Sequence, residues 1–290
     1  MIEPHPQPSI ISLILSGGLF LLGFIVSTYY AKLKGFLSLP FKTYTGIYCK
    51  GGDAIFILLF FILSNTVLGT IIYMLLSKLP LSLQMMVTLA PVLSFFFNLI
   101  FLLSFGLITR KTYLFKLVKD QRFPGRQSLK QDIFSGIKAL ILSLFALYTV
   151  ICLIEGITIL LGGNTISEQT AVRFLMQVKE TPLSLFFALF TIVIAAPLIE
   201  EYLFRGVFQS YLRKHLGSIK AIILTSVIFS LFHFSPSQGF QNISIILSLF
   251  ILSLYLGFVF EKTRSLISSI TLHLIFNLAS AMKIIFYGIN

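Results

Sequence analysis

The sequence predicts an all-α, polytopic membrane protein, a bundle of about eight transmembrane helices. Of its 290 residues, 57% are hydrophobic and 11% charged, against about 25% charged in an average soluble domain. Mean hydropathy is +0.96. Apolar runs approaching the roughly 20 residues needed to cross a bilayer recur along the chain, and Lys and Arg gather in the short connections between them. The formal net charge of +12 therefore reads as membrane orientation, and no nucleic acid is expected as a partner.

The apolar runs lie near 9–31, 54–77, 82–109, 134–161, 182–214, 219–234, 243–260 and 266–286, the sixth and seventh being short. The first nine residues hold an acid, three prolines and no Lys or Arg, so no cleavable signal peptide is expected. Pro182 after Thr181 predicts an N1 proline behind an N-cap, opening the fifth helix. Pro197 removes a backbone donor within that helix and predicts a kink. His215-Leu216-Gly217-Ser218 reads as the turn into the sixth helix, and Ser235-Pro236 as a stop beyond it. Between the fourth and fifth helices, Ala171, Phe174, Leu175 and Val178 recur at helical spacing beside Glu168, Arg173 and Lys179, which predicts a short interfacial helix. Residues 1–133 hold the first three helices and a basic loop. Residues 134–290 hold the remaining five.

Orientation follows from charge. Lys32, Lys34, Lys42 and Lys50, then Arg110, Lys111, Lys116, Lys119, Arg122, Arg126 and Lys130, share one side with Arg213, Lys214, Lys220, Lys262 and Arg264. The other side has Lys78, Arg173, Lys179 and Lys283. The first set belongs in the cytoplasm, which puts both termini outside. The expected location is the cell membrane. Two cysteines, Cys49 and Cys152, form neither a disulfide framework nor a metal-ligand spacing.

Polar residues inside the apolar runs are the candidates for chemistry, because an acid at mid-membrane costs roughly 2.5–3.5 kcal/mol or more. Glu200 and Glu201 are adjacent, and Arg205 stands four residues beyond Glu201, the favourable order for a helical ion pair. Glu200 points about 100° away, free to act as a base. An antiparallel hairpin about Gly217 brings His233 to the depth of Glu200, each roughly 20 Å from the turn. On the eighth helix, His273 and Asn277 share a face and fall in the same layer.

Two chemistries suit this set. Two His and a Glu could hold a catalytic zinc, although no His-Glu-x-x-His pattern is present. Without metal, Glu200 and His233 would polarise a water while His273 and Asn277 donate to an oxyanion. Water would arrive through a cavity between the fifth, sixth and eighth helices. A transporter, in which acids and histidines line a proton path, and a catalytically silent interaction or immunity protein are the alternatives. Asn65 and Asn98 read as helix–helix contacts, Glu155 as interfacial, and His5 and His215 as exposed.

The order Glu-Glu-x-x-x-Arg (Glu200, Glu201, Arg205), Phe-x-x-x-His (Phe229, His233) and His-x-x-x-Asn (His273, Asn277) resembles the motif set of the CPBP family. That family (CAAX proteases and bacteriocin-processing enzymes, also called Abi) includes the type II CAAX prenyl endopeptidases. The resemblance covers roughly 180–285. It implies a glutamate-dependent intramembrane endopeptidase, with Glu200 and His233 activating water and His273 and Asn277 forming the oxyanion hole. Glu201 and Arg205 would support the site. The expected partners are the bilayer and a membrane-associated protein or peptide substrate. No cofactor is expected; a metalloprotease variant, with zinc, is the less favoured form. An enzyme of prenylated cytosolic proteins should open to the cytosol, whereas the charge bias puts the 235–242 loop outside, so the prenyl substrate is not carried over.

Overall fold

The computed structural model describes residues 9–39, 47–111, 113–120, 127–161, 170–239 and 241–287. Glu168, Lys42, Arg122, Arg126 and His5 lie outside the described residues. Among the described residues eight long helices run in order: α1 Ile10–Leu33, α2 Gly51–Leu76, α3 Leu83–Ile108, α4 Leu129–Leu160, α5 Pro182–Leu216, α6 Ser218–Leu231, α7 Gln241–Thr263 and α8 Leu266–Tyr287. Seven are long and apolar enough to cross a membrane. The other, α6, has 14 residues, about 21 Å at the α-helical rise, and stops short of a full crossing.

Local signals set several helix ends. Ser9 and Ser82 accept the backbone N–H groups of Ser12 and Met85 at 3.0 and 3.2 Å, capping α1 and α3. The fourth helix begins earlier than its apolar run. Ser128 and Gln131 form a reciprocal capping box, and buried Asp132 in the first turn is held by Lys119 at 2.5 Å and Ser265 at 2.9 Å. Polar residues there are partnered rather than solvated, so the helix takes them in. Thr181 takes the N-cap position as expected, but its hydroxyl donates to Gln84 Oε1 at 2.6 Å and makes no cap hydrogen bond. Pro182 still occupies the first turn. Gly217 has φ +79°, a backbone state only glycine adopts without strain, and it turns α5 directly into α6.

The packing centres on α5. Its middle and C-terminal half lie among α2, α6 and α7, with Ile57, Leu203, Phe204, Val207 and Phe229 in one buried cluster. A second cluster joins α4, α7 and α8 through Leu140, Leu147, Leu256, Val259 and Leu272. Close approach there depends on Gly136, where a Cβ would fall 2.4 Å from the Ser268 carbonyl oxygen. The interfacial helix Thr170–Val178 forms as expected, burying Leu175 and Val178 against Ala188, Val193 and Ala281. Along α1 most large apolar side chains face outward. For a helix whose backbone is satisfied internally that face belongs to lipid.

Candidate active site

The functional helix α5 is not uniform. π-helical turns occupy Phe190–Ala195 and Tyr202–Gln209, separated by the α-helical stretch Ala196–Glu201. Pro197 explains part of this, since it has no N–H for the preceding turn and a widened turn stands immediately before it. π-turns within α-helices recur at functional sites, and each alters the facing of everything beyond it. Here Glu200 and Glu201 fall on the α-helical stretch between two wide turns, pointing to different surroundings.

Glu201 is fully buried. Its Oε1 accepts from Arg205 Nη1 and lies against His273 Nδ1, each at 2.9 Å. Arg205, also fully buried, donates through Nη2 to Ser253 Oγ at 2.7 Å and to the Ser253 carbonyl at 3.3 Å. Its guanidinium stacks over the Phe229 ring, 4.7 Å from the centroid. Two buried charges are thus paired and held by Ser253 and His273, while Glu201 Oε2 and Arg205 Nε are buried without a hydrogen-bond partner among the described residues. Sequence reasoning found Glu201 and Arg205 but missed Ser253, because a serine in an apolar helix carries no distinguishing local pattern.

Phe229 acts as a common wall. With 0% exposure, its ring lies 4.9 Å from the His233 ring, 6.0 Å from His273 and 5.1 Å from Phe204. The two histidines are therefore on one aromatic platform. His233 comes two residues past the end of α6. Its Nδ1 lies 2.9 Å from the Phe229 carbonyl. A carbonyl only accepts, so Nδ1 carries the proton and a neutral imidazole leaves Nε2 as an acceptor. His273 is held the same way: Nδ1 donates to the Glu201 carboxylate, and Nε2 stands 3.8 Å from Glu200 Oε2. That gap is beyond a direct hydrogen bond and within reach of one bridging water.

Asn277, one turn beyond His273, donates Nδ2 to the Ile192 carbonyl at 2.8 Å, within the first π-turn of α5. The structure therefore brings Glu200, Glu201, Arg205, His273 and Phe229 together. It sets Asn277 beside them, tied to α5. His233 shares the Phe229 wall, but among the described residues it makes no hydrogen bond or ion pair with Glu200. Matching depth placed these two in one layer without putting them in contact, since rise along a helix says nothing about azimuth.

The Glu200 side chain is 22% exposed and lines a cavity of about 380 Å³ with Phe61, Asn65, Tyr73, Pro91, Asn98 and Thr191. This corrects the expected water route: the cavity lies between α2, α3 and α5, not among the fifth, sixth and eighth helices. On the expected side α8 packs directly against α5, through His273 on Glu201 and Asn277 on the Ile192 carbonyl. Asn98 does serve helix contact, accepting from Ser64 Oγ at 2.7 Å and donating to the Ser94 carbonyl at 2.9 Å. Ser64 opens a further π-turn, Ser64–Leu68, inside α2. Asn65 is exposed on that turn and lines the cavity, so the helix-contact reading does not extend to it.

Residues 182–279 match the family model described as type II CAAX prenyl endopeptidase Rce1-like. The matched segment runs from the first residue of α5 to two residues past Asn277, and so contains every motif residue. The match spans about a third of the chain and supports a CAAX-type protease assignment for this segment; the matched family is one of peptidases. No curated protein and no solved structure matches the chain.

Proposed function

We propose that this chain, whose segment 182–279 matches the Rce1-like CAAX proteases, is an endopeptidase of the cell membrane that hydrolyses a peptide bond through Glu200. The observation that carries the reading is the asymmetry of the glutamate pair. Glu201 is consumed by Arg205 and His273, while Glu200 reaches a cavity and stands 3.8 Å from His273 Nε2.

In this mechanism a water held at Glu200 attacks the substrate carbonyl and passes its proton to the Glu200 carboxylate. The same proton then goes to the departing amine as the C–N bond breaks. His233 offers an acceptor at Nε2, which orients the water or receives its second hydrogen bond. The donors nearest the developing oxyanion are the second amide proton of Asn277 and, when His273 is protonated on both ring nitrogens between Glu201 and Glu200, its Nε2–H. Removal of such a donor costs about 10²–10³ in rate. Glu201 and Arg205 orient His273 and do not touch substrate.

The reading uses no metal. One carboxylate of the pair is already committed to a guanidinium and an imidazole, and among the described residues no three His, Cys, Asp or Glu side chains stand grouped for a metal ion. The substrate is a membrane-associated protein or peptide. N-terminal profiling of membranes and medium, with wild type and Glu200→Gln at equal abundance, tests the proposal. New N-termini confined to the wild type are expected. Indistinguishable profiles from a folded, expressed protein would remove the catalytic reading and leave a transporter or a silent scaffold.

A further inference from the structure

The cavity at Glu200 has a direction. Its lining on α2 is the stripe Phe61, Asn65, Gly69 and Tyr73, twelve residues or about 18 Å at the α-helical rise. Tyr73 lies three residues from the end of α2 at Leu76, and Val87 lies four residues into α3. The hairpin between them carries Lys78 alone, whereas the opposite ends of both helices meet the segment bearing Arg110, Lys111, Lys116 and Lys119. The long axis of the cavity therefore runs from Glu200 away from the basic face, which is the cytoplasmic one.

Towards the basic face the site is closed. From Leu203 to Ser210 every residue of α5 except Phe208 is buried. Below Arg205, Gln209 Nε2 donates to the Gly257 carbonyl at 3.0 Å and to Glu261 Oε1 at 3.1 Å. Arg213 and Arg264 close on the same Glu261 at 3.0 and 3.2 Å, and Ser210 Oγ accepts from the Cys49 backbone at 3.0 Å. These contacts fill the layer between the glutamates and the cytoplasm with buried, mutually bonded groups.

The lining also states what fits. Among the described residues that line the cavity, Glu200 is the one charged group, and no Lys or Arg is present. A substrate carboxylate would enter without a counter-ion and beside a carboxylate, an arrangement that charge repulsion disfavours. Aromatic and aliphatic walls with the neutral groups of Asn65, Ser94 and Thr191 suit an uncharged backbone segment. At about 3.3 Å per residue, a length of 18 Å takes about five extended residues.

We propose that Glu200 is loaded from the extracytoplasmic side, through the α2–α3–α5 cavity, by an uncharged internal segment of a secreted or membrane-anchored polypeptide, and not from the cytosol. The identity of the occupant rests on the endopeptidase reading; the direction of access does not.

Thiol accessibility in cells separates the two. In a Cys152→Ala background, with Cys49 left in place because it is fully buried, cysteines are introduced singly as Gly69→Cys, Tyr73→Cys and, on the basic face, Lys116→Cys. Gly69 has open space where a Cβ would stand, so the substitution is compatible with folding. A membrane-impermeant maleimide is expected to label the Gly69 and Tyr73 variants in intact cells, as fully as after permeabilisation, and the Lys116 variant only after permeabilisation. Labelling of the cavity positions only in permeabilised cells overturns the proposal. So does no labelling of them in either state while the Lys116 variant reacts, or labelling of the Lys116 variant in intact cells. Repeating the series with Glu200→Gln must give the same pattern, because access needs no turnover. The occupant is tested separately by the wild-type-specific N-termini: cleavage within uncharged extracytoplasmic segments is expected, and cleavage confined to cytosolic segments or C-terminal trimming overturns that part alone.

Discussion

Arg205→Met is the most informative single substitution. Arg205 and Glu201 are both fully buried and 2.9 Å apart, and the guanidinium also holds Ser253 and covers Phe229. Replacing it by a side chain of similar length keeps the packing and strands the Glu201 carboxylate. Breaking one side of a buried pair costs about 3–5 kcal/mol, whereas replacing both partners by neutral groups is often near neutral. Arg205→Met alone is thus expected to lose about 3–5 kcal/mol of unfolding free energy. Arg205→Met with Glu201→Gln should recover most of that, since the amide oxygen of the introduced glutamine would still accept from His273. The assay is reversible unfolding in mixed micelles titrated with a denaturing detergent, read by tyrosine fluorescence or protease resistance. A single variant as stable as wild type, or a double variant no better than the single, would refute the stranded-charge argument and with it the supporting role given to the pair.

Other consequences follow from the same contacts. Ser253→Ala removes a hydrogen bond to a buried charge and should cost about 1.5–3 kcal/mol; an unchanged unfolding midpoint would show that Arg205 has another partner to take up. Gly136→Ala forces a methyl against the Ser268 carbonyl oxygen and should destabilise by about 1–3 kcal/mol, measured in the same micelles. For Asn277→Ala the two roles separate by magnitude. Loss of an interhelical tie costs about 0.6 kcal/mol on average, while loss of an oxyanion donor lowers turnover about 10²–10³-fold. A fall in kcat of that size with nearly unchanged stability is expected, and a fall no larger than the stability change would reduce Asn277 to a tie between α8 and α5.

The sequence carries further for the pair and the hairpin than for the cavity. Glu201 and Arg205 are four apart on one helix, and their contact is set by helix geometry alone, so spacing is sufficient. The turn at Gly217 is likewise local, a single residue at positive φ. Thr181 keeps the cap position without the cap bond, because its hydroxyl finds Gln84, a partner nearly a hundred residues away. The beginning of α4 escapes the hydropathy pattern because Asp132 is neutralised by Lys119 and Ser265, groups that an apolar-run criterion does not see.

By itself the sequence determined that this is a multi-pass helical membrane protein with two acids, two histidines, an arginine and an asparagine at one depth. Composition, period and rise are one-dimensional quantities and are fully written along the chain. Which of the two glutamates is spent on structure, which histidine faces it, and on which side the cavity opens were decided only by the tertiary structure. Those answers depend on azimuth. The π-turns at Phe190–Ala195 and Tyr202–Gln209 and the short α6 reset it by amounts that no residue pattern announces. The reset turns Glu201 inward to Arg205 and His273 and leaves Glu200 to the cavity that α2 and α3 complete.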